Sequence, residues 1–307
     1  MKIFATGITG LFGRYFSESN PDPTTYKIFG TSRTKCPDET FKTLEFYEAC
    51  PFENLDRYRE LLQRIRPDVI VNAGSEGNVD NVQRDPSAGL KSNCEFPLFL
   101  LEEANKLGAK LVHFSSNSVY DGETPPYNER SPMNPLHLYG ELKGKVDRQV
   151  RLSPGRWIIL RPIVAYGWNF PFGRKNPVSL FLPMMLDGKP LKLVDDQFEN
   201  PIYAGDVGAI MWKCLQEGFS GELNLAGADE RLNRFEWMKT VASVFEIKDV
   251  KLEPTSMDSF PSLTPRPRDT HFDISKLLKD FHYRPLTVRE GAEAMKVDSA
   301  RTHLRGR

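Results

Sequence analysis

The chain has 307 residues, 39% of them hydrophobic, and its 41 lysine and arginine residues balance its 41 aspartate and glutamate residues. This length and apolar content are typical of a globular protein with one large core, and the balanced charge argues against general attraction to nucleic acid or to an anionic membrane. No apolar stretch approaches the ~20 residues of a membrane span and no cleavable leader is evident, so we expect a cytoplasmic protein.

Short apolar runs alternate with longer segments of helical period along the first half of the chain. The runs are KIFAT, YKIFGTS, PDVIVNAG, KLVHFSS and RWIILRP, and the segments between them include LDRYRELLQRIR and LYGELKGKVDRQV. Runs rich in Ile, Val and Leu that are separated by helices are typical of a parallel sheet covered on both faces. The sequence therefore predicts an α/β fold with a doubly wound parallel Rossmann sheet, which binds its ligands at the carboxyl ends of the strands.

After this first half the alternation weakens and Pro, Asp and Arg become frequent. We therefore expect a Rossmann domain over residues 1–165, with a later return near 200–225, and a smaller C-terminal lobe for the substrate mainly over residues 166–298. The aromatic segment YGWNFPFG is interpreted as a loop that packs on the pocket. The polar and basic end of the chain, residues 299–307, is expected to be a disordered tail outside the fold.

A glycine-rich turn, GITGLFG, follows the first apolar run and opens a helix that begins near Leu11. This arrangement aims backbone N–H groups and a helix N-terminus at a diphosphate. Gly7 would make the tight turn, Gly10 would let the chain approach the pyrophosphate, and Gly13 would allow close packing of the helix on the strand. The sequence therefore predicts a dinucleotide site.

The second predicted strand ends in FGTSRT, which places Ser32 and Arg33 at its carboxyl end. Folds that bind NAD commonly carry an acidic residue here to accept the ribose 2′-hydroxyl, whereas an arginine suits a 2′-phosphate. The sequence therefore favours NADP(H) as the cofactor, with NAD(H) as the alternative. The four cysteines are far apart in the sequence and the histidines show no ligand spacing, so we expect reduced thiols and no metal site.

Tyr139 and Lys143 lie four residues apart in YGELK, on one face of a predicted helix. A phenol has a reference pKa of ~10, and a nearby ammonium stabilises its phenolate, so Lys143 would tune Tyr139 and could also hold the nicotinamide ribose. Ser116 follows the preceding strand and would donate a hydrogen bond to a substrate carbonyl oxygen. These three residues are the predicted catalytic set.

The motifs GITGLFG, SSNSVY and YGELK resemble those of the extended short-chain dehydrogenase/reductases. Within that superfamily the chain is most similar to the dTDP-4-dehydrorhamnose reductase family, whose members reduce the 4-keto group of a nucleotide-linked 6-deoxysugar with NADPH or NADH. The stretches RPDVIVNAG, VDNVQRDPSAGLKSN, DDQFENPIYAGDVG and PRPRDTHFDISKL extend this resemblance over roughly residues 1 to 290.

The resemblance also assigns residues by position. It implies cofactor binding by Gly7, Gly10, Leu11, Phe12, Gly13, Ala73, Gly74 and Asn93. It matches Ser116, Tyr139 and Lys143 to the family's catalytic residues, of which Tyr139 and Lys143 would also contact the cofactor. It implies substrate binding by Val79, Asp80, Ser116 and Asn117, and by Arg266 and Arg268, which could clamp a diphosphate. The expected partner is therefore a nucleotide-diphosphate sugar, and a homodimer stays open.

Several positions depart from the family pattern. Asn117 and Ser118 replace Asp and Tyr, Gly77 replaces a threonine, Asn81 a lysine, Pro51 an acidic residue, Glu199 a glycine and Ile202 a threonine. These changes cluster in the substrate lobe and pocket, so the resemblance implies the chemistry and leaves the sugar and the nucleotide open.

The same positions discriminate among related reactions. Asn117 and Ser118 lack the Asp-Glu pair with which 4,6-dehydratases move protons, and they also lack the cysteine of the GDP-fucose type of epimerase-reductase. The expected function is NAD(P)H-dependent reduction at C4. Two alternatives stay open: a 4-epimerase on the same three residues, and a non-catalytic dinucleotide-binding subunit that resembles the beta subunit of methionine adenosyltransferase.

Overall fold

The computed structural model describes residues 1–33, 35–36, 41, 43–229, 231–260 and 262–305, with the backbone alone from residue 300. The strands are β1 (Lys2–Thr6), β2 (Lys27–Ser32), β3 (Phe46–Ala49), β4 (Val69–Asn72), β5 (Lys110–Phe114), β6 (Trp157–Pro162), β7 (Ala165–Tyr166), β8 (Leu191–Val194), β9 (Phe198–Glu199), β10 (Ile202–Tyr203), β11 (Gly221–Leu225), β12 (Leu232–Asn233) and β13 (Leu252–Thr255). The helices are α1 (Leu11–Glu18), α2 (Leu55–Ile65), α3 (Val79–Arg84), α4 (Pro86–Leu90), α5 (Phe96–Leu107), α6 (Leu138–Leu152), α7 (Pro177–Leu186), α8 (Ala204–Gln216), α9 (Arg234–Val244) and α10 (Val288–Arg305).

One parallel sheet has the strand order β3-β2-β1-β4-β5-β6-β11. The order reverses between β1 and β4, which is the topological switch point at which such sheets bind ligands. The predicted α/β class and its doubly wound parallel Rossmann sheet are confirmed. Within the described residues, no helix combines the length and the apolar character that crossing a bilayer requires.

Helices cover both faces of this sheet, which explains why its central strands are buried on both sides. On one face Phe16 of α1 stacks on Trp212 of α8, with ring centroids 4.5 Å apart. On the other face Leu61 of α2, Leu100 of α5 and Val146 of α6 are fully buried in one apolar cluster. Each such side chain contributes roughly 1.5–3 kcal/mol by leaving water, so the helices are fixed on the sheet and the strand ends are rigid.

A third apolar cluster lies among the two-stranded sheets β10-β7, β12-β9 and β13-β8 and the helices α7, α9 and α10. Trp237 of α9 is buried in it, and capping boxes at Asn176 and Asn233 begin α7 and α9. The division between residues 165 and 166 stays a prediction. The helix α10 reaches Arg305 and so overlaps the segment expected to be a tail, of which residues 306 and 307 lie outside the described part.

Candidate active site

The glycine turn between β1 and α1 is packed too closely for side chains. Gly7 has φ +68°, and a Cβ there would lie 2.5 Å from the backbone nitrogen of Gly74. A Cβ on Gly13 would lie 2.5 Å from the carbonyl oxygen of Gly7. Gly10 is the N-cap of α1 and supplies no side-chain acceptor, so the first N–H groups of this helix are available to an anion.

A cavity of about 610 Å³ runs from this turn across the strand ends to α6. Of the residues predicted from the sequence, its lining contains Gly7, Gly10, Leu11, Phe12, Arg33, Ala73, Gly74, Val79, Ser116, Asn117, Tyr139 and Lys143. The structure therefore brings the glycine turn and the three predicted catalytic residues to one cavity. Phe172, from the aromatic segment, lines it too.

Two predicted cofactor residues lie behind that lining. The Ser32 hydroxyl is 2.7 Å from the hydroxyl of Tyr47. Asn93 is fully buried, and its Nδ2 donates to the carbonyl oxygen of Glu76 over 3.3 Å. Asn93 therefore fixes the loop that follows β4, whereas Arg33 is exposed at the cavity edge, with Nη1 3.8 Å from Oε2 of Glu76.

Arg266 and Arg268, expected to clamp a diphosphate, are both engaged by carboxylates. Arg266 Nη2 lies 3.0 Å from Oδ1 of Asp80, which is itself a predicted substrate residue. Arg268 reaches Asp196 at 2.8 Å and Asp258 at 3.1 Å. In the described part of the chain, none of these residues belongs to the cavity lining. Their predicted roles would require an anion to compete with the carboxylates.

The first turn of α6 is fixed against the short turn that follows β5. His137 caps the helix, because its Nδ1 accepts the N–H of Gly140 over 3.2 Å. A Cβ on Gly140 would lie 2.1 Å from the carbonyl oxygen of Ser118, so the two segments touch through backbone. This close approach brings Tyr139 of α6 beside Ser116 at the end of β5.

Burial dominates the protonation of the predicted catalytic residues. It raises the pKa of Tyr139, which is opposed by a hydrogen bond with Ser116 and by the positive charge of Arg174. Burial lowers the pKa of Lys143 to about 8, against the negative charge of Asp147. The Lys143 Nζ donates to the carbonyl oxygen of Phe114 over 2.9 Å and lies 5.8 Å from the ring centroid of Tyr139. The tuning of Tyr139 by Lys143 stays a prediction.

A buried ionic network joins β5 and β6 to α6, the helix that carries Tyr139 and Lys143. Asp147, one turn after Lys143 on α6, accepts from the hydroxyl of Ser115 and from Nη2 of Arg161, each over 2.8 Å. Arg161 is fully buried on β6, and the same Nη2 lies 2.9 Å from Glu222 of β11. These bonds hold β5, β6, β11 and α6 together directly beneath the site.

Four charged cavity residues are not identified by the sequence analysis, namely Glu76, Arg174, Lys175 and Arg234. Arg234 Nη2 lies 3.4 Å from Oε1 of Glu199. The segment GRKNP carries a recognisable pattern, because two adjacent cations precede a helix that begins with proline. The sequence does not indicate that these cations line the cavity that contains Tyr139.

The chain is similar in sequence to known proteins. The family model described as RmlD substrate binding domain matches residues 1–300. Methionine adenosyltransferase 2 subunit beta of Xenopus tropicalis is 28% identical over 286 residues, which cover 91% of this chain and 82% of that protein. dTDP-4-dehydrorhamnose reductase of Aggregatibacter actinomycetemcomitans is 23% identical over 295 residues, which cover 92% and 94%.

Solved structures with the same fold include enzymes with bound ligands. A dTDP-4-dehydrorhamnose reductase from Bacillus anthracis in complex with NADP superposes with a TM-score of 0.84 at 21% identity, covering 97% of this chain and 99% of that one. A UDP-glucose 4-epimerase from Thermotoga maritima with UDP-glucose gives 0.83 at 19% identity, covering 99% and 100%. Identities this low show the fold alone. Together with the family model, these similarities confirm the resemblance inferred from the motifs.

Proposed function

The chain belongs to the RmlD substrate binding domain family, and from that premise we propose that it is an NADP(H)-dependent reductase of a nucleotide-diphospho-4-keto-6-deoxysugar. The observation that carries the proposal is the meeting of Ser116, Tyr139 and Lys143 in the cavity that begins at the glycine turn. We assign the cofactor mainly to residues 1–165, with the return near 200–225, and the sugar mainly to residues 166–298.

The residues of the turn fit a dinucleotide diphosphate. Added Cβ atoms at Gly7 and Gly13 would meet backbone at 2.5 Å, so only glycine keeps the turn tight enough for backbone N–H groups to reach a phosphate. Arg33 directly follows β2 and is exposed. Its contact with Glu76 is long, at 3.8 Å, so the guanidinium is available to a 2′-phosphate. This supports NADP(H) over NAD(H), which stays the alternative.

A bound reduced nicotinamide would supply the hydride, and the reduction depends on three side chains of this protein. Tyr139 gives a proton to the oxygen that develops negative charge at C4, and its raised pKa keeps it in the phenol form that donates. The Ser116 hydroxyl donates a hydrogen bond to the same oxygen. Lys143, held by the carbonyl of Phe114, keeps a positive charge beside the site below pH ~8.

The residue after Ser116 argues against proton transfer at the neighbouring carbons of the sugar. Asn117 donates its Nδ2 to Oγ1 of Thr270 over 2.8 Å, and its Oδ1 lies 3.3 Å from the Ser116 hydroxyl. An amide held in this way carries no titratable proton near neutral pH. Of the related reactions, reduction and epimerisation at C4 therefore remain, and the 4-epimerase is the alternative to the reductase.

A second candidate function is supported by the relatives. Proteins named methionine adenosyltransferase 2 subunit beta match over 90% or more of this chain, so a non-catalytic dinucleotide-binding subunit would have the same fold. Such a protein would bind NADPH without consuming it and would copurify with a larger catalytic chain. We favour the enzyme, because Ser116, Tyr139 and Lys143 are all buried and line the cavity that begins at the glycine turn.

The test is the loss of NADPH and NADH absorbance with dTDP-, UDP-, GDP- and CDP-linked 4-keto-6-deoxysugars, each made in place by a dehydratase. Oxidation by the wild-type protein that Tyr139→Phe abolishes is the expected result. Tight NADPH binding with no oxidation across the panel would transfer the assignment to the epimerase or to the regulatory subunit.

A further inference from the structure

The loop between β7 and α7 carries Arg174 into the cavity that contains Tyr139. A Cβ on Gly77 would lie 2.8 Å from Nη1 of Arg174, so the guanidinium rests on the bare backbone of the loop that follows β4. The family pattern implies a threonine at position 77. Because this chain has glycine there, the space that a side chain would fill is taken by a cation from a different part of the fold.

Of the other arginines of the cavity, Arg33 is assigned above to the 2′-phosphate of the cofactor, and Arg234 lies near a carboxylate. Arg33 lies 3.8 Å from Glu76, and Arg234 lies 3.4 Å from Glu199. Among the residues that the structure describes, no carboxylate pairs with Arg174 and no acceptor takes a hydrogen bond from its side chain. A guanidinium has five N–H donors in a planar fork, which suits two oxygens of one phosphate.

Arg266 and Arg268 are poorer candidates for the same ligand. Their guanidinium groups are already paired with Asp80 and with Asp196 and Asp258, so a diphosphate would have to displace carboxylates first. Arg174 carries no such cost. Lys175, the next residue in the sequence, lines the same cavity and adds to its positive charge.

We propose that Arg174, in the space left by Gly77, binds the diphosphate of the nucleotide-sugar substrate. The assignment rests on the proposed function, because a nucleotide-sugar substrate brings a diphosphate into the cavity that contains Tyr139. A hexose bears its diphosphate at C1, across the ring from C4, so a sugar whose C4 lies at Tyr139 places its diphosphate elsewhere along the same cavity, whose lining includes Arg174. The charge of Arg174 also lowers the pKa of Tyr139.

Binding of nucleoside diphosphates without turnover tests this assignment. Calorimetric titrations with UDP, dTDP, GDP and CDP, at saturating NADP⁺, compare the wild-type protein with Arg174→Ala. We expect the best wild-type ligand to bind roughly ten- to a hundredfold more weakly to Arg174→Ala, which is the range for hydrogen bonds to charged groups. Arg174→Lys should recover part of the loss, because an ammonium keeps the charge and loses the fork.

Two further variants separate position from charge. Gly77→Thr keeps Arg174 but fills its resting place, so it should weaken the same diphosphate at least severalfold while NADP⁺ affinity stays unchanged. The matched control is Arg289→Ala, an exposed arginine of α10 outside the cavity lining, which should bind every ligand as the wild type does.

Several results would overturn the assignment. They are unchanged diphosphate binding by Arg174→Ala, a loss confined to NADP⁺, a loss that follows Arg266→Ala and Arg268→Ala instead, or no binding of any of the four diphosphates by the wild type. Because binding is measured without turnover, a protein that binds a diphosphate through Arg174 yet oxidises no NADPH would contradict the reductase and uphold this site.

Discussion

The hydroxyl of Ser115 donates a hydrogen bond of 2.8 Å to Oδ2 of Asp147, and both side chains are buried. The first residue precedes Ser116, and the second lies one turn beyond Lys143. This single bond therefore joins the strand end that presents the Ser116 hydroxyl to the helix that presents Tyr139 and Lys143. The position of the three predicted catalytic side chains depends on the buried charge of Asp147.

Replacement of that charge should destabilise the fold. Asp147→Asn keeps the volume but leaves Arg161 with Glu222 as its remaining carboxylate partner. Breaking a buried ion pair from one side costs roughly 3–5 kcal/mol, and we expect the free energy of unfolding in urea to fall by about 3 kcal/mol. A fall below about 1 kcal/mol would mean that Asp147 does not hold these elements together.

Removal of the Tyr139 hydroxyl should stop reduction without affecting the cofactor. General acid catalysis contributes roughly 10²–10⁴-fold, so Tyr139→Phe should lower kcat by at least about a hundredfold. NADPH affinity, measured by fluorescence titration, should change less than about threefold. Turnover near the wild-type rate would remove Tyr139 from the mechanism.

The pH dependence of kcat should report Lys143. Its pKa is about 8 because burial lowers it, so its ammonium is present below that pH and is lost as the pH rises through it. Tyr139 has a raised pKa and stays protonated over the same range. We therefore expect kcat to fall above pH ~8. In Lys143→Arg the charge persists, so a slower but flat profile is expected, and a falling limb that survives in this variant would assign it to another group.

The turn before α1 should tolerate no side chain at Gly7. Gly7→Ala places a Cβ 2.5 Å from the backbone of Gly74 in a φ of +68°, whereas Gly188 has the same φ and no atom within 4 Å of an added Cβ. The left-handed conformation costs each alanine variant about 1–2 kcal/mol. NADPH affinity should fall at least about tenfold in Gly7→Ala alone. Equal affinities in the two variants would mean that the turn does not hold the diphosphate.

Arg33 should set the choice of cofactor. Its exposed guanidinium is available to a 2′-phosphate, and charged hydrogen bonds contribute roughly 1.5–3 kcal/mol, so Arg33→Ala should bind NADPH about ten- to a hundredfold more weakly. NADH serves as the internal control, because it lacks the phosphate and its affinity should not change. A parallel loss for both cofactors would show that Arg33 supports the fold of the site and not the phosphate.

Local pattern predicts the sheet well, because each central strand is buried on both faces. The run KIFAT coincides with β1, and the glycine turn and the Tyr-Lys spacing are readable because their geometry depends on neighbours in the chain. The edge strand β3, with the sequence FYEA, is not predicted, since its side chains are only half-buried. Asn93 lies in a π-helical turn at Lys91–Glu95, between α4 and α5.

The charges of the site are harder to predict, because their partners are distant in sequence. Asp80 and Arg266 form an ion pair across 186 positions, and Arg174 rests on Gly77 across 97. No periodicity connects such residues. The sequence therefore identifies Arg33, Arg266 and Arg268 as candidates, but it does not identify Arg174 or indicate which arginines pair with a carboxylate.

The most direct test of the central claim follows the hydride. NADPH that carries two deuterium atoms at nicotinamide C4 is incubated with the protein and each of the 4-keto sugar nucleotides in turn, and the product is analysed by mass spectrometry and NMR. A reductase should place one deuterium at C4 of the sugar for each NADPH oxidised, and Tyr139→Phe should place none. NADPH that binds but is not oxidised, together with a sugar that has no deuterium at C4, would contradict the proposed reductase activity.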